Sequence, residues 1–365
     1  MSTNPRLQEA LHRAVGLEND GSLFEAEQIF RQLTARPNPP DLAHYQYGQF
    51  LLRRGDYAEA WPHFMKRIDD AIYRERSAAT ISKPYLTIAD LDGIHDKIVL
   101  VYCDQGIGDA IMCARFIPLL AARAKGVVLT VFQGFRELFA SLADIGNVTI
   151  IEFGDPLPAF DLHSDLFSLP AIFETTPETI PPADWLKADI AWKSFWQSRL
   201  PETDGLKIGL VWQGNASHNR DEERSARLAD LAPLAATGHA FYSLQAGPGT
   251  EQISALPDSG WIMRFEDIEN GIDAPTAQMV NCAALIDCLD LLITVDTAMA
   301  HIAGALGKPV WVMVTKVPYW VFMLDGDKTP WYSSARVFRA SERYAWDNVI
   351  AEMTARLSGA DPLGS

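Results

Sequence analysis

Asp296, Thr297 and His301 stand together in Leu289-Asp-Leu-Leu-Ile-Thr-Val-Asp-Thr-Ala-Met-Ala-His-Ile-Ala-Gly-Ala-Leu-Gly-Lys-Pro-Val-Trp-Val-Met-Val314, a pattern that can bind and activate a ligand. The apolar run Leu289 to Val295 suits a strand buried on both faces, and Thr297 to Leu306 suits a helix. Gly307-Lys308-Pro309 stops that helix before a second apolar run. The polar cluster therefore falls at the carboxyl end of a strand, where an open parallel sheet puts its ligand. Free backbone N–H groups at a helix start favour a phosphate. His301, one turn after Thr297, shares its helix face.

A second junction lies earlier, where the apolar run Lys97 to Cys103 leads into Asp104-Gln-Gly-Ile-Gly-Asp109. A dinucleotide fingerprint would need glycine where Ile111 stands, and Asp109 would set a negative charge where a pyrophosphate rests, so Rossmann dehydrogenase chemistry is disfavoured. On the first turn of a helix, a carboxylate caps N–H groups and is stabilised by the dipole. Facing a cleft, the same carboxylate can take a proton from an attacking hydroxyl. Both readings of Asp109 stand at this point. The pairs Asp90/Asp92 and Asp325/Asp327 lie in turn-like settings and read as loop residues, so no metal ligand set is expected.

These junctions need elements to hold them, and the chain of 365 residues is long enough for two or three domains. Its hydrophobic fraction of 48% supplies buried cores, and no apolar run reaches the length of a membrane span. The start Met1-Ser-Thr-Asn-Pro-Arg6 is unlike a signal peptide, so a cytoplasmic protein is expected. Cys103, Cys113, Cys282 and Cys288 have no Cys-x-x-Cys spacing and read as buried thiols. A formal charge of −16 argues against nucleic acid as the main partner, while leaving room for a local basic pocket.

Gly21, Glu25, Ala26 and Phe30 recur as Gly55, Glu59, Ala60 and Phe64, an offset of 34 residues, which is the tetratricopeptide period. Small Ala26 and Ala60 allow close helix approach, Gly21 and Gly55 belong in turns, and Pro62 should kink or shorten its helix. Two repeats have too little core to stand alone, so a docked module is expected. Beyond Pro84 the pattern alternates. Helix is expected over Gly108 to Ala124, strand over Val127 to Phe132, helix over Phe135 to Ala143 and strand over Val148 to Phe153. Six prolines between Pro156 and Pro182 mark an irregular connection. Lys207 to Trp212 restarts the alternation with strand, followed by helix Leu228 to Ala236, strand Ala240 to Leu244 and helix Asn281 to Cys288.

The set Gly106-Ile-Gly-Asp109 with Arg115-Phe-Ile-Pro118, Gly209-Leu-Val-Trp-Gln-Gly-Asn215 with His218 and Arg224-Ser225, Ser243-Leu-Gln245 with Gly247-Pro248, and Thr294 to Trp311 resembles bacterial tetratricopeptide-repeat proteins with a glycosyltransferase family 9, heptosyltransferase-like domain. The resemblance runs from about residue 90 to Trp346 and is carried by the set rather than by any one motif. It implies helical hairpins over 1–80 followed by a GT-B fold. That fold has an acceptor-side Rossmann-like domain over 90–190, a nucleotide-sugar domain over 205–340 and a C-terminal helix over 341–358. It further implies Asp109 as catalytic base, Asp296, Thr297, Ala298 and His301 around the donor phosphates, Arg224 and Ser225 near the diphosphate, and Gln245 near base or ribose. Gln105, Gly106, Gly108, His163 and His218 are candidates for the acceptor side.

The expected activity is metal-independent, inverting transfer from a nucleotide-diphosphate sugar, a co-substrate, to a hydroxyl of a protein or glycan acceptor, with no bound cofactor. Helix N–H groups and a cation would stabilise the leaving diphosphate. Two departures bear on the donor. Asp221-Glu-Glu223 is acidic beside the expected diphosphate site, and Val317-Pro-Tyr-Trp320 replaces a more acidic Pro-Asp-Trp of the relatives. Trp311, Tyr319, Trp320, Trp331 and Tyr332 could stack on sugar or base, or simply pack a core. A non-catalytic repeat adaptor with a vestigial pocket is a competing class, and a nucleotide-sugar epimerase is another that would need further acid/base groups in the cleft.

Overall fold

The computed structural model describes residues 5–69, 81–217, 220–256, 258, 260–264 and 275–363, without the side chains of 275–278. Four helices come first: α1 (Pro5–Asp20), α2 (Leu23–Thr34), α3 (Asp41–Arg54) and α4 (Tyr57–Phe64). They pair as two hairpins. Gly21 and Gly55 take φ of 87° and 89° in the turns, the left-handed region open to glycine. At Gly48 a Cβ would stand 2.7 Å from the Phe64 backbone nitrogen, so a side chain there would push α3 and α4 apart. Pro62 has the expected effect, since α4 stops at Phe64 and a 3-10 turn, Met65–Asp69, follows.

Two parallel sheets follow. The first has the order β3-β2-β1-β4, from β1 (Ile98–Tyr102), β2 (Gly126–Val131), β3 (Val148–Glu152) and β4 (Leu162–Asp165). The second has the order β10-β9-β8-β5-β6-β7, from β5 (Lys207–Val211), β6 (Ala240–Ser243), β7 (Ile262–Met263), β8 (Leu291–Val295), β9 (Val310–Val314) and β10 (Ala335–Arg339). Every residue of β8 and β9 is buried, as strands covered on both faces require. The main helices here are α5 (Ile107–Cys113), α6 (Ile190–Gln197), α7 (Pro275–Cys288), α8 (Ala298–Ala305) and α9 (Asp347–Leu357).

Several expectations need correction. The helix expected over Gly108 to Ala124 is broken into α5, a 3-10 turn Ala114–Phe116 and a short helix Ile117–Ala121 with Pro118 in its first turn. Leu228–Thr237 is 3-10 rather than α-helix and contains Pro233. The region between Pro156 and Pro182 is not wholly irregular. It contains β4, whose Leu162 to Asp165 pair with Val99 to Tyr102 of β1. A four-residue strand flanked by prolines has too short a pattern to be read from periodicity.

The helical hairpins dock on both α/β halves. Trp61 donates its Nε1–H to the Thr175 carbonyl at 2.6 Å, and Trp331 donates to the Tyr57 hydroxyl at 2.7 Å. Buried Arg67 pairs with buried Asp165 at 2.5 Å. The halves themselves meet where α8 packs on α5. There a Cβ on Gly108 would lie 2.9 Å from His301 Cδ2 and 3.5 Å from Ala298 Cα, so the approach depends on glycine.

Candidate active site

The α5–α8 junction opens into a cleft of about 610 Å³ whose walls come from three parts of the chain. The β1–α5 turn and the start of α5 supply Gly106, Gly108 and Asp109, the loops and helices of the second α/β half supply Arg224, Gln245, Asp296, Thr297, Ala298 and His301, and α3 supplies Gln49 and Arg53.

Asp109 caps the start of its helix and borders the cleft. One carboxylate oxygen, Oδ2, accepts from the Gly106 N–H at 3.1 Å and closes the start of α5, while Oδ1 accepts from the Tyr319 hydroxyl at 2.6 Å. Burial pushes this carboxyl above the ordinary aspartate range, and the Tyr319 and Gly106 hydrogen bonds hold the rise back. Burial also lifts the Tyr319 phenol well above its usual value, with the Asp109 charge adding to it, so Tyr319 keeps its proton and donates.

Across the cleft, Thr297 caps α8 by accepting from the Met299 N–H at 3.3 Å, and its hydroxyl lies 3.0 Å from that of Thr294. Arg224 is held by Asp221 at 3.2 Å and donates to the Asp296 carbonyl at 3.0 Å, which fixes the loop before α8. Burial pushes the Asp296 carboxyl up to about 6 against the pull of Arg224, and the Asp109 charge raises it further. His301 is buried, its Nδ1 lies 2.8 Å from the Tyr332 hydroxyl, and burial with the nearby Arg115 charge brings its pKa down to about 3. The imidazole is therefore neutral at physiological pH. The acidic run beside this wall is largely occupied, since Asp221 engages Arg224 and Glu223 engages both Arg220 and Arg343.

Other candidates hold structure. Ser225 accepts from the Gly214 N–H at 3.0 Å, and Gln105 donates to Asp104 at 2.8 Å; neither lines the cleft. Gln245 borders the cleft, but its amide clamps backbone. It accepts from the Trp212 and Gln213 N–H groups, both at 3.0 Å, and donates to the carbonyls of Gln213 and Pro248. His163 lies in β4 between Tyr85 and Tyr102 and does not line the cleft. Its backbone ties residues 84–86 to β4. His218 lies outside the described residues.

Of the aromatic set, Trp311, Trp320, Trp331 and Tyr332 are buried core, and Tyr319 alone borders the cleft. Nothing in the local sequence pattern pairs Tyr319 with Asp109 or brings Gln49 and Arg53 to the site. The one available signal was Tyr319 itself, standing where an acidic residue was expected. Arg53 is buried in a two-pronged ion pair with Glu18, at 2.7 and 2.9 Å, which holds its place on the cleft wall.

Asp90 accepts from the Thr87 N–H and hydroxyl, and Asp327 pairs with Arg336 at 2.6 Å. Among the described residues no group of three or more His, Cys, Asp or Glu side chains is placed to hold a metal ion. All four cysteines are free thiols, three of them buried and Cys288 partly exposed. No described helix is long and apolar enough to cross a membrane.

Fold and site together define an α/β protein with a cleft, lined by both charged and apolar side chains, between two parallel-sheet halves. Residues 265–314 match the sequence model of glycosyltransferase family 9 (heptosyltransferase). The described part of that segment, 275–314, is α7, β8, α8 and β9, the wall bearing Thr297 and His301. Protein FlbA of Caulobacter vibrioides is 25% identical over 364 residues, an alignment covering 93% of this chain and 59% of that protein. The chain thus spans less than two thirds of that relative's length. Among solved structures, E. coli ADP-heptose LPS heptosyltransferase II aligns over 71% of this chain and 98% of its own, with 15% identity and a TM-score of 0.49. The family 9 glycosyl transferase of Veillonella parvula DSM 2008 aligns over 69% and 87%, with 12% identity and a TM-score of 0.43.

Proposed function

We propose that the protein is a metal-independent, inverting glycosyltransferase of the GT-B type, moving a sugar from a nucleoside-diphosphate sugar to an acceptor hydroxyl. The observation that carries this reading is the juxtaposition, across one cleft, of the Asp109 carboxylate with the start of α8, Thr297, neutral His301 and Arg224. The family 9 match over the second of these walls supports it.

In this mechanism Asp109 takes the proton of the acceptor hydroxyl as the acceptor oxygen bonds to the anomeric carbon. The bond from that carbon to the diphosphate oxygen breaks, and the diphosphate leaves with the electron pair. A single displacement inverts the anomeric centre. Charge growing on the leaving oxygen meets the N–H groups of α8, the Arg224 guanidinium and a donor from His301, all oriented before reaction. A raised carboxyl suits the base, because proton transfer improves as its basicity approaches the working pH.

The acceptor, a protein or a glycan, reaches Asp109 past α3. The hairpins of α1 to α4, read as tetratricopeptide repeats, then act as an acceptor-facing wall through Gln49 and Arg53. Asp109→Asn tests the central claim. Transfer from a panel of nucleotide sugars should fall by about a hundredfold or more, with calorimetric affinity for the nucleoside diphosphate retained. Near-normal turnover would return Asp109 to its capping role alone.

One observation favours a second reading. Asp296, with its pKa raised to about 6, is a further titratable carboxyl in the same cleft, the additional acid/base group an epimerase would need. Product analysis separates the two, since an epimerase changes the sugar of the donor without any acceptor.

A further inference from the structure

The hydrogen bond at the back of His301 sets what the ring offers at its front. The Tyr332 hydroxyl is 2.8 Å from Nδ1, and Tyr332 is buried. Burial raises this phenol far above its ordinary value, so it carries its proton throughout the physiological range. A buried O–H needs an acceptor, and the ring nitrogen is the acceptor within reach among the described residues. Were Nδ1 protonated instead, two donors would face each other, or the hydroxyl proton would be left without a partner. Nδ1 is therefore the acceptor, and the remaining imidazole proton sits on Nε2. The edge that carries Nε2 faces Gly108, where a Cβ would lie 3.5 Å from Nε2, on the cleft wall.

Arg115 stands behind this pair. It is buried and donates to the carbonyls of Met112 at 2.9 Å, Trp331 at 2.5 Å and Pro181 at 3.3 Å, none of them a carboxylate. Its guanidinium carbon lies 4.6 Å from the centre of the Tyr332 ring. The arginine comes from the first α/β half and fixes the segment that carries Tyr332 in the second. Its charge also disfavours a second proton on His301.

We propose that Tyr332, anchored by Arg115, is a positioning residue that locks His301 as the Nε2–H tautomer, a neutral, single-proton donor aimed at the diphosphate oxygens of a bound nucleotide. The ligand half of this proposal rests on the nucleotide-sugar reading above. A neutral donor engages the diphosphate in both the bound sugar nucleotide and the leaving group without giving up its proton to either. The opposite tautomer would turn a lone pair toward the phosphate.

The test reads the ring directly. Nitrogen-15 imidazole spectra of the ligand-free full chain, with the His301 signal identified by its disappearance in His301→Gln, should give the pattern of a protonated Nε2 and an accepting Nδ1. In Tyr332→Phe that pattern should give way to a mixture of tautomers, and affinity for the best of ADP, GDP, UDP and CDP should fall about three- to tenfold, the range for one hydrogen bond. His301→Gln, whose amide can occupy the Nε2 position as a neutral donor, should keep nucleotide affinity within about threefold, whereas His301→Asn should lose it. A protonated Nδ1 in the wild type, or an unchanged tautomer in Tyr332→Phe, overturns the proposal even if the variants bind normally. If none of the four nucleotides binds the wild type, the nucleotide-site reading and the ligand role of His301 both fall, while the spectra still decide whether Tyr332 sets the ring.

Discussion

At the scale of single residues, the cleft keeps two carboxyls whose proton affinity the fold has raised, Asp109 and Asp296, and the cost can be followed at Asp296. Its pKa stands at about 6 instead of 3.8. Below 3.8 the group is protonated folded and unfolded, and contributes no difference. Between 3.8 and 6 the folded state holds the proton more tightly than the unfolded state, so stability falls as pH rises. Above 6 the full penalty applies. Each tenfold change in proton affinity is worth about 1.4 kcal/mol, which puts that penalty at up to about 3 kcal/mol. Asp296→Asn should therefore be more stable than the wild type by up to about 3 kcal/mol near pH 7.5, with the advantage shrinking toward zero below about pH 4. Denaturant unfolding at the two pH values checks it. An equal gain at both would mean that the carboxyl charge is not what the folded state resists.

At the scale of elements, the contact of α5 with α8 decides whether Asp109 and His301 share a cleft at all. Gly108 makes the approach possible, because a Cβ there would stand 2.9 Å from His301 Cδ2. Gly108→Ala should force the ring or the helix to shift, destabilising the fold by about 1–3 kcal/mol as overpacking does and weakening nucleoside-diphosphate binding at the same time. Gly16 offers the control, since a Cβ there meets nothing within 4 Å. Wild-type stability and binding in Gly108→Ala would show that the α5–α8 approach has slack.

At the scale of the whole molecule, the hairpins are part of the core of the protein. Trp61 packs edge-on against Trp320 with ring centres 6.2 Å apart, and Phe64 lies 5.1 Å from Phe167, so aromatic rings of the hairpins and of both α/β halves form one cluster. The Arg53 carbonyl accepts from the Leu324 N–H at 2.9 Å, which adds a backbone tie beside the cleft. Removing the hairpins would strip this cluster, so their role is better tested by a point change. Trp61→Ala should cost about 3–5 kcal/mol, the range for a buried tryptophan, and should lower stability in one cooperative transition followed by fluorescence and circular dichroism alike. If the two probes separate, with the hairpins melting first, the module folds independently and its contribution to the cleft is conditional.

Much of the architecture was legible in the sequence, because local patterns carry it. Continuous apolar runs marked β1, β5, β8 and β9, the 34-residue offset marked the paired hairpins with Gly21 and Gly55 at their turns, and the glycines and polar residues after β1 and β8 marked the two junctions that border the cleft. What the sequence could not carry was any relation between residues far apart in the chain. The bonds of Tyr319 to Asp109 and of Tyr332 to His301, the place of Gln49 and Arg53 on the cleft wall, and the removal of His163 to β4 all depend on how separately formed elements pack. The same holds for the proton affinities of Asp109, Asp296 and His301, since burial sets each of them and burial exists only once the sheets and helices have closed around these groups.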